Sequence, residues 1–164
     1  MFVGEAPGRR EDIAGEPFVG VAGRFLDTLL DSVGLARDRV YITNVVKSRP
    51  FVGPPPGRNR APVAGEVAAC GSWLDEQITI IQPEIIVAMG RVALEYFLPG
   101  ERISRVHGRP RQHEGRTVLP LFHPAAASHR QALRDTLRQD FQVLGTLLRA
   151  GRKEATPRPK KVTG

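Results

Sequence analysis

The chain has 164 residues, of which 41% are apolar and 25% are charged. This length and composition are typical of one domain with a single core, and they exclude a disordered chain. No apolar stretch approaches the ~20 residues that span a bilayer, and the first residues do not resemble a secretion signal. The single cysteine, Cys70, excludes an internal disulfide framework. We therefore expect a cytoplasmic protein without a membrane partner.

The net charge of +7 is concentrated at one end of the chain. Residues 149–164 contain six basic residues and one acidic residue, so the remaining body carries a net charge of only +2. This segment has two prolines and few apolar residues, which predicts a disordered basic tail at 151–164 after a domain at 1–150. The tail could bind a polyanion, or it could only increase solubility.

Strands and helices alternate along the sequence. Short apolar runs rich in β-branched residues predict four buried strands: Met1–Val3, Val40–Val46, Ile85–Met89 and Val118–Phe122. Apolar residues at helical spacing predict helices near 25–33, 67–81, 91–97 and 133–148, and we expect the last helix to begin near Ala126. This order predicts an α/β protein with three α/β/α layers and a central, four-stranded, mostly parallel sheet.

Polar side chains follow three of the predicted strands. Glu5 comes after the first strand, Asn44 lies near the end of the second, and His123 comes after the fourth. Ligands of open α/β sheets bind at the carboxyl ends of the strands, so these residues are candidates for one site. Each also has a structural alternative: Glu5 could be a surface acid, Asn44 could bond a turn, and His123 could cap a helix.

Four ordered motifs make the chain recognisable. They are Gly4-Glu5-Ala6-Pro7-Gly8 with Glu11-Asp12, Gly15-Glu16-Pro17-Phe18-Val19-Gly20, Thr43-Asn44-Val45-Val46-Lys47, and His123-Pro124-Ala125. Together they resemble the uracil-DNA glycosylase superfamily, most closely its family 4, the iron-sulfur uracil-DNA glycosylases. The resemblance spans residues 2–148. It implies a four-stranded parallel sheet between helices, uracil-containing DNA as the partner, and hydrolysis of the bond between uracil and deoxyribose, which leaves an abasic site.

The resemblance also implies roles for individual residues. Two would be catalytic: Glu5 would help to place the attacking water, and His123 would stabilise the departing base. Six would contact the flipped uracil: Ala6, Gly8, Glu11, Phe18, Asn44 and Asn59. Two further expectations do not rest on the resemblance. The small residues Pro124, Ala125 and Ala126 could enter the minor groove, and the charge of Arg152 and Lys153 in the tail makes them candidates for contacts with DNA.

Three of the base contacts have a specific chemistry. An aromatic ring at Phe18 could stack on the uracil, and the Asn44 amide could donate to its polar edge and accept from it at once. Glu11 matches an acidic residue that could reject the methyl group of thymine. Phe18 could instead pack under its loop, and Glu11 could be an ordinary surface acid.

The cysteine content departs from the family. Family 4 binds a four-iron, four-sulfur cluster through four cysteines, whereas here Cys70 matches one ligand and Ser48 stands in the place of another. A lone thiolate cannot hold such a cluster, so we expect no metal or organic cofactor, and Cys70 as a small core residue. The proline-rich segment Phe51–Gly57 looks like an insertion that could brace the loop beside the lost ligand.

The sequence thus predicts a monomeric uracil-DNA glycosylase that flips its base. One alternative is a homologue that binds nucleic acid but has lost turnover, and a weaker one is an α/β enzyme that acts on a free nucleoside or nucleotide. His107, His113 and His129 match no motif, so we expect them at the surface.

Overall fold

A computed structural model describes residues 1–128 and 130–154, apart from the side chains of residues 152–154. His129, the residues after Glu154, and the side chains of Arg152 and Lys153 lie outside the described part, and so do the predictions made for them. No helix in the described ranges is long and apolar enough to cross a membrane.

At least one helix separates each of the four predicted strands from the next in the described chain, as the sequence predicts. In order, the elements are β1 (Phe2–Gly4), α1 (Arg9–Ala14), α2 (Val21–Asp31), β2 (Ile42–Asn44), β3 (Phe51–Val52), β4 (Arg58–Asn59), α3 (Ala64–Ile81), β5 (Ile85–Met89), α4 (Arg91–Phe97), α5 (Ile103–Val106), β6 (Arg111–His113), β7 (Arg116–Leu121) and α6 (Gln131–Glu154). Short 3₁₀ turns occupy Arg37–Arg39 and Pro124–Ala127.

The main sheet has five strands in the order β2-β1-β5-β7-β6. The four predicted strands are all present and parallel, and β6 adds an antiparallel edge strand beside β7 that the sequence did not predict. β2 lies on one side of β1, and β5, which comes later in the chain, lies on the other side. The crevice at the carboxyl end of β1 is therefore a switch point, where α/β sheets bind their ligands.

Helices cover both faces of the sheet, which confirms the three-layer fold. Along β5, Val87 and Met89 pack on the core beneath α2 and α6, whereas Ile86 and Ala88 pack on the core beneath α3 and α4. Successive side chains of a strand point to opposite faces, so one five-residue strand serves both cores. This double burial explains why its sequence is apolar throughout.

The ends of several predicted elements differ from the structure, and the second strand covers only Ile42–Asn44 of the predicted Val40–Val46. The last helix begins at Gln131 and not near Ala126, because Pro124–Ala127 forms a 3₁₀ turn first. The same helix continues to Glu154, so the backbone of 151–154 is helical where we expected the disordered tail to begin. Helix α1 was not predicted, because it has no buried residue and so no apolar period.

His107 is not the surface residue that we expected. Its Nδ1 lies 2.8 Å from Oδ2 of Asp140, a buried residue of α6, and its ring packs against Phe122 with the centroids 4.7 Å apart. Burial raises the pKa of Asp140, and the bond to His107 opposes that shift. The pair joins α6 to the segment just before β6. His113 is half-buried and meets the Phe97 ring edge-on.

Candidate active site

An open cavity of 540 Å³ lies at the carboxyl ends of β1, β2 and β7. Its wall contains all eight residues that the sequence predicts for catalysis and base contact: Glu5, Ala6, Gly8, Glu11, Phe18, Asn44, Asn59 and His123. Glu5, Asn44 and His123 are up to 118 positions apart in the chain, and the parallel register of the sheet brings their strand ends together.

Asn44 ends β2 and carries an unpaired polar atom. Only 5% of the residue is exposed, and its Oδ1 is buried without a hydrogen-bond partner, the one such side-chain atom in the described part of the chain. Residue 4 faces this amide across the sheet, and a Cβ there would collide with Oδ1. An orphaned acceptor costs roughly 1–3 kcal/mol, so its burial beside a cavity points to a ligand that donates a proton to it.

Lys47 fixes the strand end that carries Asn44. Its Nζ donates to the Asn44 carbonyl oxygen at 2.7 Å, to Thr43 Oγ1 at 3.0 Å and to Gln77 Oε1 at 2.7 Å. Burial lowers the pKa of Lys47, and its three acceptors use all three ammonium protons. The Asn44 backbone is thereby anchored to helix α3. Nothing in the sequence indicated this role beyond the lysine's place in the third motif.

Phe18 is held in an unusual backbone conformation. Its φ of 56° lies in the left-handed region, which is costly for a bulky residue and is typical of functional sites. Glu11 stabilises this turn, because its Oε1 accepts from the backbone N–H groups of Val19 at 3.1 Å and Gly20 at 2.7 Å. Glu11 therefore orders the loop that presents Phe18, in addition to lining the cavity.

His123 stacks on Phe18, with the ring centroids 5.4 Å apart and the planes 26° from parallel. Its Nδ1 accepts from the backbone N–H of Ala125 at 3.1 Å, so the proton of the neutral ring lies on Nε2. Burial lowers the pKa of His123 to about 4, and the charge of Glu11 opposes this shift. At neutral pH the cavity wall thus contains an uncharged imidazole with one N–H to donate.

Glu5 places a second carboxylate, beside that of Glu11, in the cavity wall. It is half-buried, and burial raises its pKa, while the charge of Arg91 acts in the opposite direction. The Glu5 carbonyl oxygen accepts from the N–H of Val46, which ties this loop to the end of β2. The carboxylate is therefore an anion on a fixed backbone, in the same wall as His123.

Asn59 reaches the cavity from a separate two-stranded ribbon. This ribbon is formed by β3 and β4, which pair Phe51 with Asn59. Arg49 connects the ribbon internally: its Nε donates to Asn59 Oδ1 at 2.6 Å, and its two other nitrogens donate to the carbonyl oxygens of Pro56 at 2.7 Å and Gly57 at 3.0 Å. Arg49 thus ties the predicted insertion to Asn59 and orients its side chain, while Pro50, Asn59 and Arg60 beside the insertion line the cavity.

The predicted groove-entering segment is only partly available. Ala125 and Ala126 are exposed and line the cavity mouth, whereas Pro124 is buried at the start of the 3₁₀ turn. Pro124 is therefore a poor candidate for a direct DNA contact, because its ring packs inward. The sequence around Pro124 gave no indication that it would be buried while Ala125 and Ala126 are exposed.

Three basic residues of the cavity wall were not predicted. Arg9 and Arg10 begin helix α1, and Arg60 follows β4. Arg60 is paired with Glu66 at 2.7 Å, which holds it against helix α3. A pair of arginines directly after the first motif was the one sequence signal for a basic rim.

The residues present do not fit the family's cluster. Cys70 is the only cysteine of the chain, and its Sγ accepts from the backbone N–H of Lys47 at 3.4 Å. It is half-buried and packs with the core beneath α3 and α4. Within the described ranges no three histidine, cysteine, aspartate or glutamate residues are grouped as metal ligands. One thiolate cannot replace the four that such a cluster takes.

Known proteins resemble this chain over most of its length. The family model described as the uracil DNA glycosylase superfamily matches residues 1–143. The type-4 uracil-DNA glycosylase of Archaeoglobus fulgidus is 44% identical over 95% of this chain and 79% of its own length. That of Sulfurisphaera tokodaii is 43% identical over 90% and 69%, and that of Thermotoga maritima is 48% identical over 76% and 64%. With its motifs gathered around one cavity at the switch point of the sheet, this chain belongs to the uracil-DNA glycosylase superfamily.

Proposed function

We propose that this protein hydrolyses the N-glycosidic bond of uracil in DNA, as a repair glycosylase that flips the base into the cavity. The observation that carries the proposal is the buried, unpaired Oδ1 of Asn44 at the cavity floor. A base inside a duplex cannot reach such an atom, so it has to leave the stack first. Similarity to type-4 uracil-DNA glycosylases over most of the chain supports the same activity.

The cavity suits the polar edge of uracil. N3 of uracil carries a proton and O4 accepts one, so the Asn44 amide can accept from N3 through Oδ1 and donate to O4 through its nitrogen. Cytosine presents an unprotonated N3 and an amino group at the same two positions, and an amide in this orientation cannot pair with them. Phe18 supplies the aromatic surface against which the base would stack.

Two groups of the wall suit the breaking of the bond. As the bond between C1′ and N1 breaks, its electron pair moves onto the uracil ring and its oxygens, where the Nε2–H of His123 can donate to the developing anion. The sugar becomes cationic, and the Glu5 carboxylate can stabilise that charge. A water molecule adds through its oxygen to C1′ and gives a proton to Glu5. The uracil anion then takes up a proton, which restores the Glu5 carboxylate directly or through solvent, and the products are uracil and an abasic site.

The proposal includes the state in which the protein works. We infer a monomeric, cytoplasmic enzyme that needs no metal or organic cofactor. The statement about the metal rests on Cys70, because one cysteine cannot hold the family's cluster.

Ala125 and Ala126 at the cavity mouth are the candidates for entering the minor groove, where small or apolar side chains help to open the stack.

A uracil-release assay tests the proposal. We expect free uracil and alkali-cleavable abasic sites from single-stranded and duplex oligonucleotides that contain one uracil, both with and without EDTA. The matched oligonucleotide with cytosine at that position should yield no base. Binding of the uracil oligonucleotide without any free uracil above a protein-free control would instead support the non-catalytic homologue.

The basic tail provides a second prediction. The segment 155–164 contains three basic residues and no acidic residue, and we propose that it contacts DNA phosphates. Its deletion should weaken DNA binding, and the slope of log K against log salt should fall by up to roughly 0.9 for each duplex phosphate that the tail neutralises. Uracil selectivity should not change, because phosphate contacts do not read the base. An unchanged slope in a salt titration would mean that the tail only increases solubility.

A further inference from the structure

The ribbon of β3 and β4 places an aromatic side chain beside the cavity. Phe51 pairs directly with Asn59, and opposed residues of antiparallel strands share a face. Asn59 lines the cavity, so the Phe51 ring stands on the same face of the ribbon. Arg49 supports this arrangement, because it donates to Asn59 Oδ1 while its guanidinium carbon lies 5.4 Å from the centroid of the Phe51 ring.

The Phe51 ring is fixed in place although it is exposed. Its exposed fraction is 45%, and it belongs to neither core. Arg49 lies over the ring, and Gly57 approaches it so closely that a Cβ at position 57 would come within 2.5 Å of Cδ2. An aromatic side chain held this way loses little conformational entropy when a flat partner stacks on it.

The charge around the ring indicates the kind of partner. Arg9 and Arg10 lie on one rim of the cavity, and Arg49 lies over the ring itself. Among nearby acids, Glu66 is paired with Arg60 and Glu11 accepts two backbone bonds. A rim rich in arginine around an exposed ring is the combination that binds single-stranded nucleic acid, since the arginines follow the phosphates and the ring stacks on a base.

We propose that Phe51 is a stacking platform for a base that neighbours the flipped uracil. This inference rests on the proposed function and extends it, because it assigns a contact outside the base cavity. When uracil leaves the strand, one neighbouring base loses its stacking partner. The Phe51 ring, with Arg49 behind it, replaces that partner and keeps the strand open beside the cavity.

The test removes the ring and the neighbouring base separately and together. Single-stranded oligonucleotides carry one uracil with an ordinary base on both sides, or with a baseless tetrahydrofuran unit on the 5′ or the 3′ side. We expect the wild type to lose roughly tenfold in binding constant and in kcat/KM when one of the two neighbours is removed. Phe51→Ala should lose a similar factor on the ordinary substrate and should be nearly insensitive to the missing neighbour.

Matched variants separate stacking from loss of apolar surface. Val52→Ala is the control, because Val52 is similarly exposed at 53% but alternates to the other face of the ribbon, so it should behave as wild type. Phe51→Trp should retain the sensitivity to the neighbour, and Phe51→Leu should lose it although the ribbon keeps a large apolar side chain.

Two results would separate failure of this inference from failure of the proposed function. If Phe51→Ala and Phe51→Leu respond to removal of either neighbour as strongly as the wild type, the platform is wrong even if uracil is released. If no uracil is released but binding shows the expected coupling between Phe51 and the neighbouring base, the platform stands and the glycosylase proposal fails.

Discussion

Replacement of His123 by alanine is expected to slow uracil release by roughly 10²–10³-fold, the usual loss when one donor to a developing oxyanion is removed. The loss should appear in kcat and in kcat/KM alike, because the donor acts mainly on the transition state. Single-turnover release of uracil from a short oligonucleotide would measure it, and oligonucleotide binding should stay close to wild type. His123→Gln should recover part of the rate, since its amide can still donate.

His113→Ala provides the matched control for this variant. His113 is also half-buried, but it lies on the edge strand β6 and does not line the cavity. Its replacement should leave uracil release unchanged. Equal losses in the two variants, or a His123→Ala enzyme as fast as wild type, would contradict the assigned role.

The pH dependence of kcat/KM should show whether His123 or Glu5 is the group that titrates. With a His123 pKa of about 4, the imidazole stays neutral throughout the range above pH 5, so no change near pH 6.5 is expected. The pKa of Glu5 is raised, and its charged form is the useful one, so kcat/KM should fall as pH decreases through a value above the ordinary 4.5. Glu5→Gln should be slow and should lack this acid limb. A limb near pH 6.5 that disappears in the His123→Gln variant would show that His123 titrates with an ordinary pKa.

Replacement of Asn44 by alanine is expected to reduce kcat/KM for uracil by roughly 10²-fold or more and to erode discrimination against cytosine. A site built to pair with a polar edge in a desolvated pocket discriminates strongly, because the wrong base leaves its groups unpaired. Parallel release assays on matched uracil and cytosine oligonucleotides would measure both effects. Retained discrimination in the variant would mean that another group reads the base.

The free energy of unfolding of Asn44→Ala provides a second, independent measurement. A buried side chain normally stabilises the fold, but the Asn44 Oδ1 has no partner to lose. Its removal should therefore leave the free energy of unfolding unchanged or slightly increased, although activity falls. Gln142→Ala is the control, because Gln142 is an exposed amide on α6 and its loss should affect neither quantity. A destabilised Asn44→Ala protein would instead indicate a structural role.

The sequence predicted those parts of the fold that depend on local periodicity. Buried strands such as Ile85–Met89 are apolar because both of their faces are covered, and Asn44 and His123 could be placed at strand ends from the strands alone. Strand β6 is polar and lies at the edge of the sheet, so no apolar run marks it. The β3–β4 ribbon was foreseen only as an insertion, since each of its strands has two residues and is too short to show an alternating pattern.

Contacts between distant segments could not be predicted. The bonds from Val19 and Gly20 to Glu11 form only because the loop folds back over helix α1. His107 meets Asp140 across 33 positions, and nothing near either residue indicates the other. The sequence shows which chemical group each of these residues carries. Its partner, and therefore its role, depends on which other segment the fold brings next to it.

The cavity wall is assembled from segments near residues 5, 18, 44, 59 and 123, which only the complete sheet brings together. No fragment of the chain can therefore bind what the whole cavity binds. A ligand that fills it has affinity for the native state alone, and it stabilises that state by RT ln(1 + [L]/Kd). Binding of a base-sized molecule at this small site therefore raises the free energy of unfolding of the whole domain, including both cores.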